Sequence, residues 1–386
     1  MHPARAAVLQ RARRARCRSS SYVDRVAIGS TDPVEPGGNQ LPRALTVLLG
    51  MAAVVVVVGG MRAAAWLIAP TFLALVIVIA TNPVPVWLVG KGVPRWLATA
   101  ALVVLVYAVL ITFAVVVLLS IARLATILPQ YASRADALLA GLTHELARFG
   151  IGPEQVKNAA GKVDFGKLTG VVGSLLSGVA SVGTNLVFLL ALLLFISVET
   201  GAVGTRMAMV ADGHPEAARA LREFTLGTRS YLVVSTVFGG IVAVLDVIAL
   251  LLLGVPLPIL WGLLAFVTNY IPTIGFVLGV IPPALLALLQ GGWKLAVTVV
   301  VVYCVLNFVI QSIIQPRFVG DAVGLSVTVT LLSLVFWTWV IGALGAILAI
   351  PLTLLAKAVL VDCDPNARWA GAFLVSDRVS RTRIES

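Results

Sequence analysis

Apolar residues run through this chain in blocks too long for strands and too uniform for surface helices. Ala44–Gly60 and Ala63–Ala80 are parted only by Met61-Arg62, and each is about long enough to cross a bilayer core of roughly 30 Å. They read as a tight helical hairpin, followed by the proline-rich loop Asn82–Arg95. Trp96–Ile121 predicts a third span, longer than one crossing needs. Val182–Val198 predicts a fourth, ending at Glu199, and Tyr231–Leu253 a fifth. Lys294–Ile310 is a further uninterrupted span.

Two later segments are apolar but broken. Ile259–Thr268 stops at Asn269-Tyr270-Ile271-Pro272-Thr273-Ile274-Gly275 and resumes over Phe276–Leu289, with Gly279 and Pro282-Pro283 inside it. Leu325–Leu360 is nearly twice one crossing and is broken by Gly342, Gly345 and Pro351. One break reads I-G-x3-G-x2-P from Ile274 to Pro282, the other I-G-x2-G-x5-P from Ile341 to Pro351. Paired Gly/Pro-interrupted segments point to the binding site of a transporter. A broken segment is costly in lipid unless its freed backbone groups face protein or a water-filled cavity. Each break is either a kinked span, giving eight crossings, or a re-entrant hairpin, giving six. The predicted class is all-α: a polytopic helical membrane protein of about eight membrane segments, two of them Gly/Pro-broken.

The polar stretches set the boundaries. Residues 1–43 are Arg-rich and then Pro/Gly/Asp-rich, which predicts a disordered basic cytoplasmic tail. No apolar run begins before Ala44, which argues against a cleaved signal peptide. Ala122–Ser181 alternates charged and apolar residues and contains the amphipathic stretch Ala137–Phe149, predicting an extramembrane helical insertion at 122–181. Thr200–Arg229 reads as a charged cytoplasmic segment with a short interfacial helix from Pro215-Glu216, and 361–386 as a second basic tail. The permease domain then covers 44–360.

Composition agrees with this pattern. Hydrophobic residues make up 60% of the chain and charged ones 12%, against roughly 45–50% and about 25% in soluble domains. That excludes a soluble enzyme. The net charge of +11 gathers before the first span and after the last, as cytoplasmic tails require under the positive-inside rule. Both termini are therefore expected inside a bacterial inner membrane, and nucleic acid is not an expected partner. Cys17, Cys304 and Cys363 are far apart, and His2, His144 and His214 stand alone, so no metal site, disulfide framework or cofactor is expected. No G-x-S-x-G, H-E-x-x-H or G-x(4)-G-K-[ST] motif occurs, and the chain is not expected to be an enzyme.

Candidate chemistry is sparse. Asp246 is the one carboxylate well inside a predicted span, and an ionised group there costs several kcal/mol unless paired or hydrated. Gly239, Ala243, Asp246 and Leu250 share a helical face with small residues that allow close packing. A cation site or proton carrier is one reading, and an interfacial carboxylate the other. Asn269, Asn307, Gln311 and Gln315 both donate and accept hydrogen bonds; at helix breaks they either bind a polar solute or satisfy loosened backbone. Arg317 completes the candidate pathway set: it either attracts anions or anchors a loop at the interface, and anchoring is the favoured reading. Pro272, Pro282, Pro316 and Pro351, with Gly275, Gly279, Gly320, Gly342 and Gly345, form the hinge set.

These residues resemble a known family. Gln315-Pro316-Arg317-Phe318-Val319-Gly320 with Gly324-Leu325 is similar to a Q-P-R/K-hydrophobic-hydrophobic-G, G-L signature. Gly342-Ala343-Leu344-Gly345-Ala346 with Pro351 resembles a G-x-x-G-A…P ending. Leu253-Gly254-Val255-Pro256 and Asn269 to Gly275 resemble L-G-hydrophobic-P and N-hydrophobic-I-P-x-I-G. The family is the autoinducer-2 exporter-like permeases of bacteria, and the resemblance covers about Ala44 to Leu360. It implies about eight membrane segments, a homo-oligomer and transport of small solutes, a quorum-sensing furanone among them; some members look like sodium/proton antiporters. Many relatives carry an acidic residue before the Q-P pair, where this chain has Ile310-Gln311-Ser312, and proline after the G-L pair, where it has Ser326-Val327. The first expectation is export of a small organic solute or signalling molecule by alternating access. The second is sodium/proton antiport through Asp246, and the third a membrane scaffold that transports nothing.

Overall fold

The computed structural model describes residues 43–131, 134, 185–272, 274–315 and 325–363. Residues 1–42 and 364–386 of the expected tails, 132–133 and 135–181 of the insertion, and Pro316, Arg317 and Gly320 lie outside the described residues. The chain divides into two compact units, Met1–Val56 and Val57–Ser386. The first contains the start of helix α1 (Arg43–Ala63). The second holds the end of α1 and every later element.

Among the described residues, the regular elements of the second unit are helical. They are α2 (Ala65–Thr81), α3 (Pro83–Gly90), α4 (Arg95–Ile127), α5 (Asn185–Glu199), α6 (Val203–Gly213), α7 (Pro215–Leu252), α8 (Pro258–Thr268), α9 (Gly275–Asn307), α10 (Val327–Ile341), α11 (Ala343–Ile347) and α12 (Ala349–Lys357). Among the described residues, four stretches are long and apolar enough to cross a membrane: Ala65–Gly90, Arg95–Tyr131, Pro215–Leu252 and Gly275–Ile314. A fifth is counted if α5 and α6, bent by 64°, make one span. The polytopic all-α class holds, and the difference from eight segments lies in short helices. At ~1.5 Å per residue, α8 rises only about 17 Å, roughly half a bilayer core.

Three boundaries differ from the sequence reading. Ala64 alone links α1 to α2. Its N–H bonds to the Gly60 carbonyl and its own carbonyl accepts from Ile68, so helical bonding continues on both sides and no reversing loop forms between the two apolar runs. The expected interfacial helix at Pro215 and the fifth span are one helix, the 38-residue α7. Its charged first turns simply continue into the apolar part. The third span likewise runs past Ile121 to Ile127 and a short 3-10 turn, Leu128–Tyr131.

Helix α7 is the element on which both broken segments are mounted. Its first half contributes Ala220, Phe224 and Leu232 to a core shared with α2 (Ala69, Phe72, Val76) and with α10 to α12 (Leu334, Trp337, Val340, Ile350, Leu352, Leu354). Its far end contributes Leu250 to a second core with Leu260, Trp261, Val280, Leu286, Val299 and Tyr303. Between them, Phe238 and Val242 pack on Ile310. The buried face runs Leu232, Ser235, Phe238, Gly239, Val242, Asp246, Leu250, a spacing of three and four that marks one side of a helix.

Both broken segments fold back on themselves. In the first, a Cβ placed on Gly275 would lie 1.9 Å from the Thr268 carbonyl oxygen, and one on Gly279 would lie 3.0 Å from Thr268 Oγ1 and 3.6 Å from Ala265 Cα. Later positions of α9 thus meet earlier positions of α8, as in an antiparallel hairpin. The far ends meet too, since Gln290 Nε2 donates to the Gly254 carbonyl at 2.9 Å. A kinked span would send its two ends to opposite sides, so this segment is a hairpin. Pro282 and Pro283 are carried inside α9, and the chain breaks helical geometry instead at Gly292 (φ 72°, ψ −170°). Past Gly292 the same helix returns, bringing Val299 and Tyr303 into the core of the outgoing arm.

The second hairpin is built alike. A Cβ on Gly345 would lie 2.0 Å from the Trp337 carbonyl oxygen, and Trp337 Nε1 donates to Thr353 Oγ1 at 3.0 Å, joining α10 to α12. Gly342 turns the chain with φ 82°. The two motifs do not superpose glycine for glycine. Gly345, not Gly342, fills the role that Gly275 plays in the first hairpin. Pro351 falls in the first turn of α12, where its missing N–H costs no helical bond.

Candidate functional site

The break between α8 and α9 is tied to α7 by hydrogen bonds in both directions. Asn269 Nδ2 donates to the Ser235 carbonyl at 3.0 Å, and the Tyr231 hydroxyl donates to the Tyr270 carbonyl at 2.7 Å. Thr236 Oγ1 and the Tyr270 hydroxyl lie 2.6 Å apart. Backbone turns close the rest, with Ile271 N–H on the Thr268 carbonyl and Gly275 N–H on the Ile271 carbonyl. The Tyr270 carbonyl and the Ile271 and Gly275 N–H groups at the break are thus met by protein, as a position among apolar helices requires. Gly239 makes room for this arrangement: a Cβ there would lie 2.6 Å from Asn269 Nδ2.

The third wall comes from the end of α9. After Asn307 the helix widens into a π-helical stretch, Phe308–Ile314, a form that concentrates at functional sites. Gln311 Nε2 donates to Asn269 Oδ1 at 3.1 Å and to Asn307 Oδ1 at 2.8 Å. Asn307 Nδ2 donates to the Tyr303 carbonyl at 2.9 Å. A chain of side-chain amides therefore links Ser235 on α7, Asn269 at the break and Asn307 on α9.

Asp246 closes the site. It is 0% exposed, and neither carboxylate oxygen has a hydrogen-bond partner. It lines a small cavity with Val242, Thr268, Asn269, Tyr303, Asn307 and Gln311, and the space left there is water-sized. Tyr303 is 1% exposed, and its hydroxyl also lacks a partner.

Of the residues picked from sequence, Asp246, Asn269, Asn307, Gln311 and Gly279 come together around this cavity. Gln315 does not line it; its N–H closes the π-helical turn onto the Ile310 carbonyl. Arg317 lies outside the described residues. Tyr303, Thr268 and Ser235 were missed. Tyr303 had a signal, since Tyr303, Asn307 and Gln311 recur every four residues and share one helical face. Among the described residues, no group of three or more His, Cys, Asp or Glu side chains lies close enough to hold a metal ion.

Apolar helices of spanning length, two folded-back hairpins and a buried polar cluster walled by α7, the first hairpin and the returning arm of α9 fit a multi-pass membrane transport protein. The chain belongs to the AI-2E transporter family, whose model, described as "AI-2E family transporter", matches residues 47–363. It is 32% identical to the AI-2 transport protein TqsA of Escherichia coli (strain K12), over 82% of this chain and 91% of the relative. It is 31% identical to a protein of Haemophilus influenzae provisionally described as a transport protein, over 84% of this chain and 94% of the relative. A third relative, YhhT of Escherichia coli (strain K12), also provisionally a transport protein, is 29% identical over 81% of this chain and 89% of its own length.

Proposed function

We propose that this permease exports a small polar organic solute of the signalling-molecule kind across the bacterial inner membrane. Its two helical hairpins, entering from opposite faces, would provide alternating access, with both termini cytoplasmic and the protein working as a homo-oligomer. The observation that carries the reading is the amide chain Ser235–Asn269–Gln311–Asn307, strung across a break in a membrane helix. Side chains that both donate and accept suit hydroxyl and carbonyl groups of an uncharged solute. Broken helices in paired segments are where transporters place such groups. The water-sized space beside them corresponds to a closed state, which the hairpin must leave to admit a solute. Outward direction rests on the resemblance of the sequence motifs to autoinducer-2 exporter-like permeases; the name of the TqsA relative speaks of transport without a direction.

The test is flux in proteoliposomes loaded with a hydroxylated furanone and, as a control, a charged solute of the same size. Wild-type protein is expected to release the furanone, and Asn269→Ala and Gln311→Ala to slow release at least about tenfold. Absence of wild-type flux for every small polar solute tried would sink the reading. Cells expressing the protein should also raise the extracellular furanone level; a rise inside the cells instead would reverse the direction.

A further inference from the structure

Exposed tryptophans and single cations mark both ends of the span Ala65–Gly90. At one end Lys91 Nζ lies 3.7 Å from the centroid of the exposed Trp87 ring. At the other end Trp66 is exposed, and Arg62 precedes it by about one helical turn. At ~1.5 Å per residue, the rise from Trp66 to Trp87 is about 31 Å, close to the thickness of a bilayer's hydrocarbon core. Tryptophan collects at the two headgroup levels, and long basic side chains near helix ends reach for them. This spacing sets Arg62 at one membrane surface, away from the bilayer centre.

One face of the Arg62 guanidinium is covered. Its Cζ lies 4.9 Å from the centroid of the Trp339 ring, on the arm of the second hairpin that ends at Gly342. Trp337 is 8% exposed and packs into the core, whereas Trp339 is 56% exposed and presents its ring to Arg62. A guanidinium stacked on an aromatic face keeps its N–H edge for an anion. The protein supplies none. The two stretches that meet here, 36–135 and 322–361, contain no Asp or Glu, and none of the ion pairs among the described residues involves Arg62.

We propose that Arg62, Trp66 and Trp339 form a binding site for the headgroup of an anionic phospholipid. The guanidinium edge donates to the phosphate oxygens, the Trp339 ring holds its face, and Trp66 packs where headgroup meets acyl chain. Exposed apolar side chains next to the site, Leu67 among them, give the acyl chains a surface to lie on. That second anchor is what a lipid has and a free phosphate lacks. A basic residue without a counterion favours a lipid of net negative charge over a zwitterionic one. Because Trp339 belongs to α10, the bound lipid touches the second hairpin and the α1–α2 junction together. The inference rests on a membrane location alone, whatever solute is carried.

The experiment is photo-cross-linking of the full-length protein in phosphatidylcholine vesicles, with a trace of phosphatidylglycerol carrying a diazirine near its headgroup. The labelled peptides are then mapped by mass spectrometry. In the wild type, peptides containing Trp66 and Trp339 should be labelled about fivefold more than by the matching phosphatidylcholine probe. Arg62→Gln should remove this preference and Arg62→Lys keep most of it, while labelling around Trp87 and Lys91 stays unchanged in both. Trp339→Leu leaves Arg62 in place but takes away its ring; it should weaken the preference too, and it serves as the second variant if Arg62→Gln does not fold. Equal labelling by the two probes, or a preference that survives Arg62→Gln, overturns the proposal. Loss of the label to added inorganic phosphate, but not to sulfate of the same ionic strength, overturns it as well and makes the site one for free phosphate.

Discussion

Gly275 lies against Thr268 so closely that a single methyl group on its Cα would fall 1.9 Å from the Thr268 carbonyl oxygen. The partner atom is backbone, which has no rotamer to yield. Gly345 stands in the same relation to Trp337, at 2.0 Å. Each hairpin is closed at its tip by one glycine facing one carbonyl.

Gly275→Ala and Gly345→Ala should therefore each destabilise the protein by about 1–3 kcal/mol, the usual cost of forcing extra volume into a packed site. Gly240→Ala, with nothing within 4 Å of its added carbon, should be neutral. Thermal unfolding in detergent distinguishes them. Equal melting of all three would mean that the hairpins do not close as described.

Gly239→Ala tests the amide chain without touching it. The new methyl would press on Asn269 Nδ2 at 2.6 Å and push the amide off the Ser235 carbonyl. Solute flux should fall toward that of Asn269→Ala, while the neighbouring Gly240→Ala keeps full flux. A Gly239→Ala protein with unimpaired flux would show that Asn269 is not needed in place.

Tyr231→Phe should cost about 1–3 kcal/mol, because the Tyr270 carbonyl at the helix break loses the donor that satisfies it. Chemical denaturation of both proteins measures the difference. A stable variant would mean that another donor, or water, reaches that carbonyl.

Thr228→Val should act in the opposite sense. Thr228 is 0% exposed and its hydroxyl has no hydrogen-bond partner, so a methyl in its place removes an unsatisfied polar group at little change in shape. A gain of about 1 kcal/mol is expected, read as a raised melting temperature. A loss would reveal a hydrogen bond to that hydroxyl in the membrane.

Cysteines at Gln290 and Gly254, in a background free of native cysteine, should be joined by a short bifunctional maleimide, because the two ends of the first hairpin meet. Failure to cross-link in intact membranes would restore the kinked-span alternative.

Much of this architecture was legible from residue pattern alone. Apolar run length announced the spans, and the Gly/Pro spacing announced two broken segments of similar build. Asp246 declared itself by standing alone in an apolar helix. What the pattern did not carry was direction. A helix break reads the same whether the chain goes on or turns back, and only contacts such as Gln290 with Gly254 distinguish the two. Gly292 passed unnoticed because one glycine before a clean apolar run has no special signature, whereas Pro282-Pro283 drew attention and proved to be carried inside α9. Tyr303 was overlooked for a similar reason. A tyrosine in a membrane helix reads as packing until its hydroxyl is found beside an unpaired carboxylate.

The narrowness of the space beside Asp246 also bears on the cell that makes this protein. A gap with room for one water holds no continuous file of water molecules, so it gives neither protons nor sodium an uninterrupted path through this part of the protein. In this conformation the gradients that power the membrane do not run down through the Asp246 cavity, and the number of copies in the membrane can rise without an energetic leak at that point.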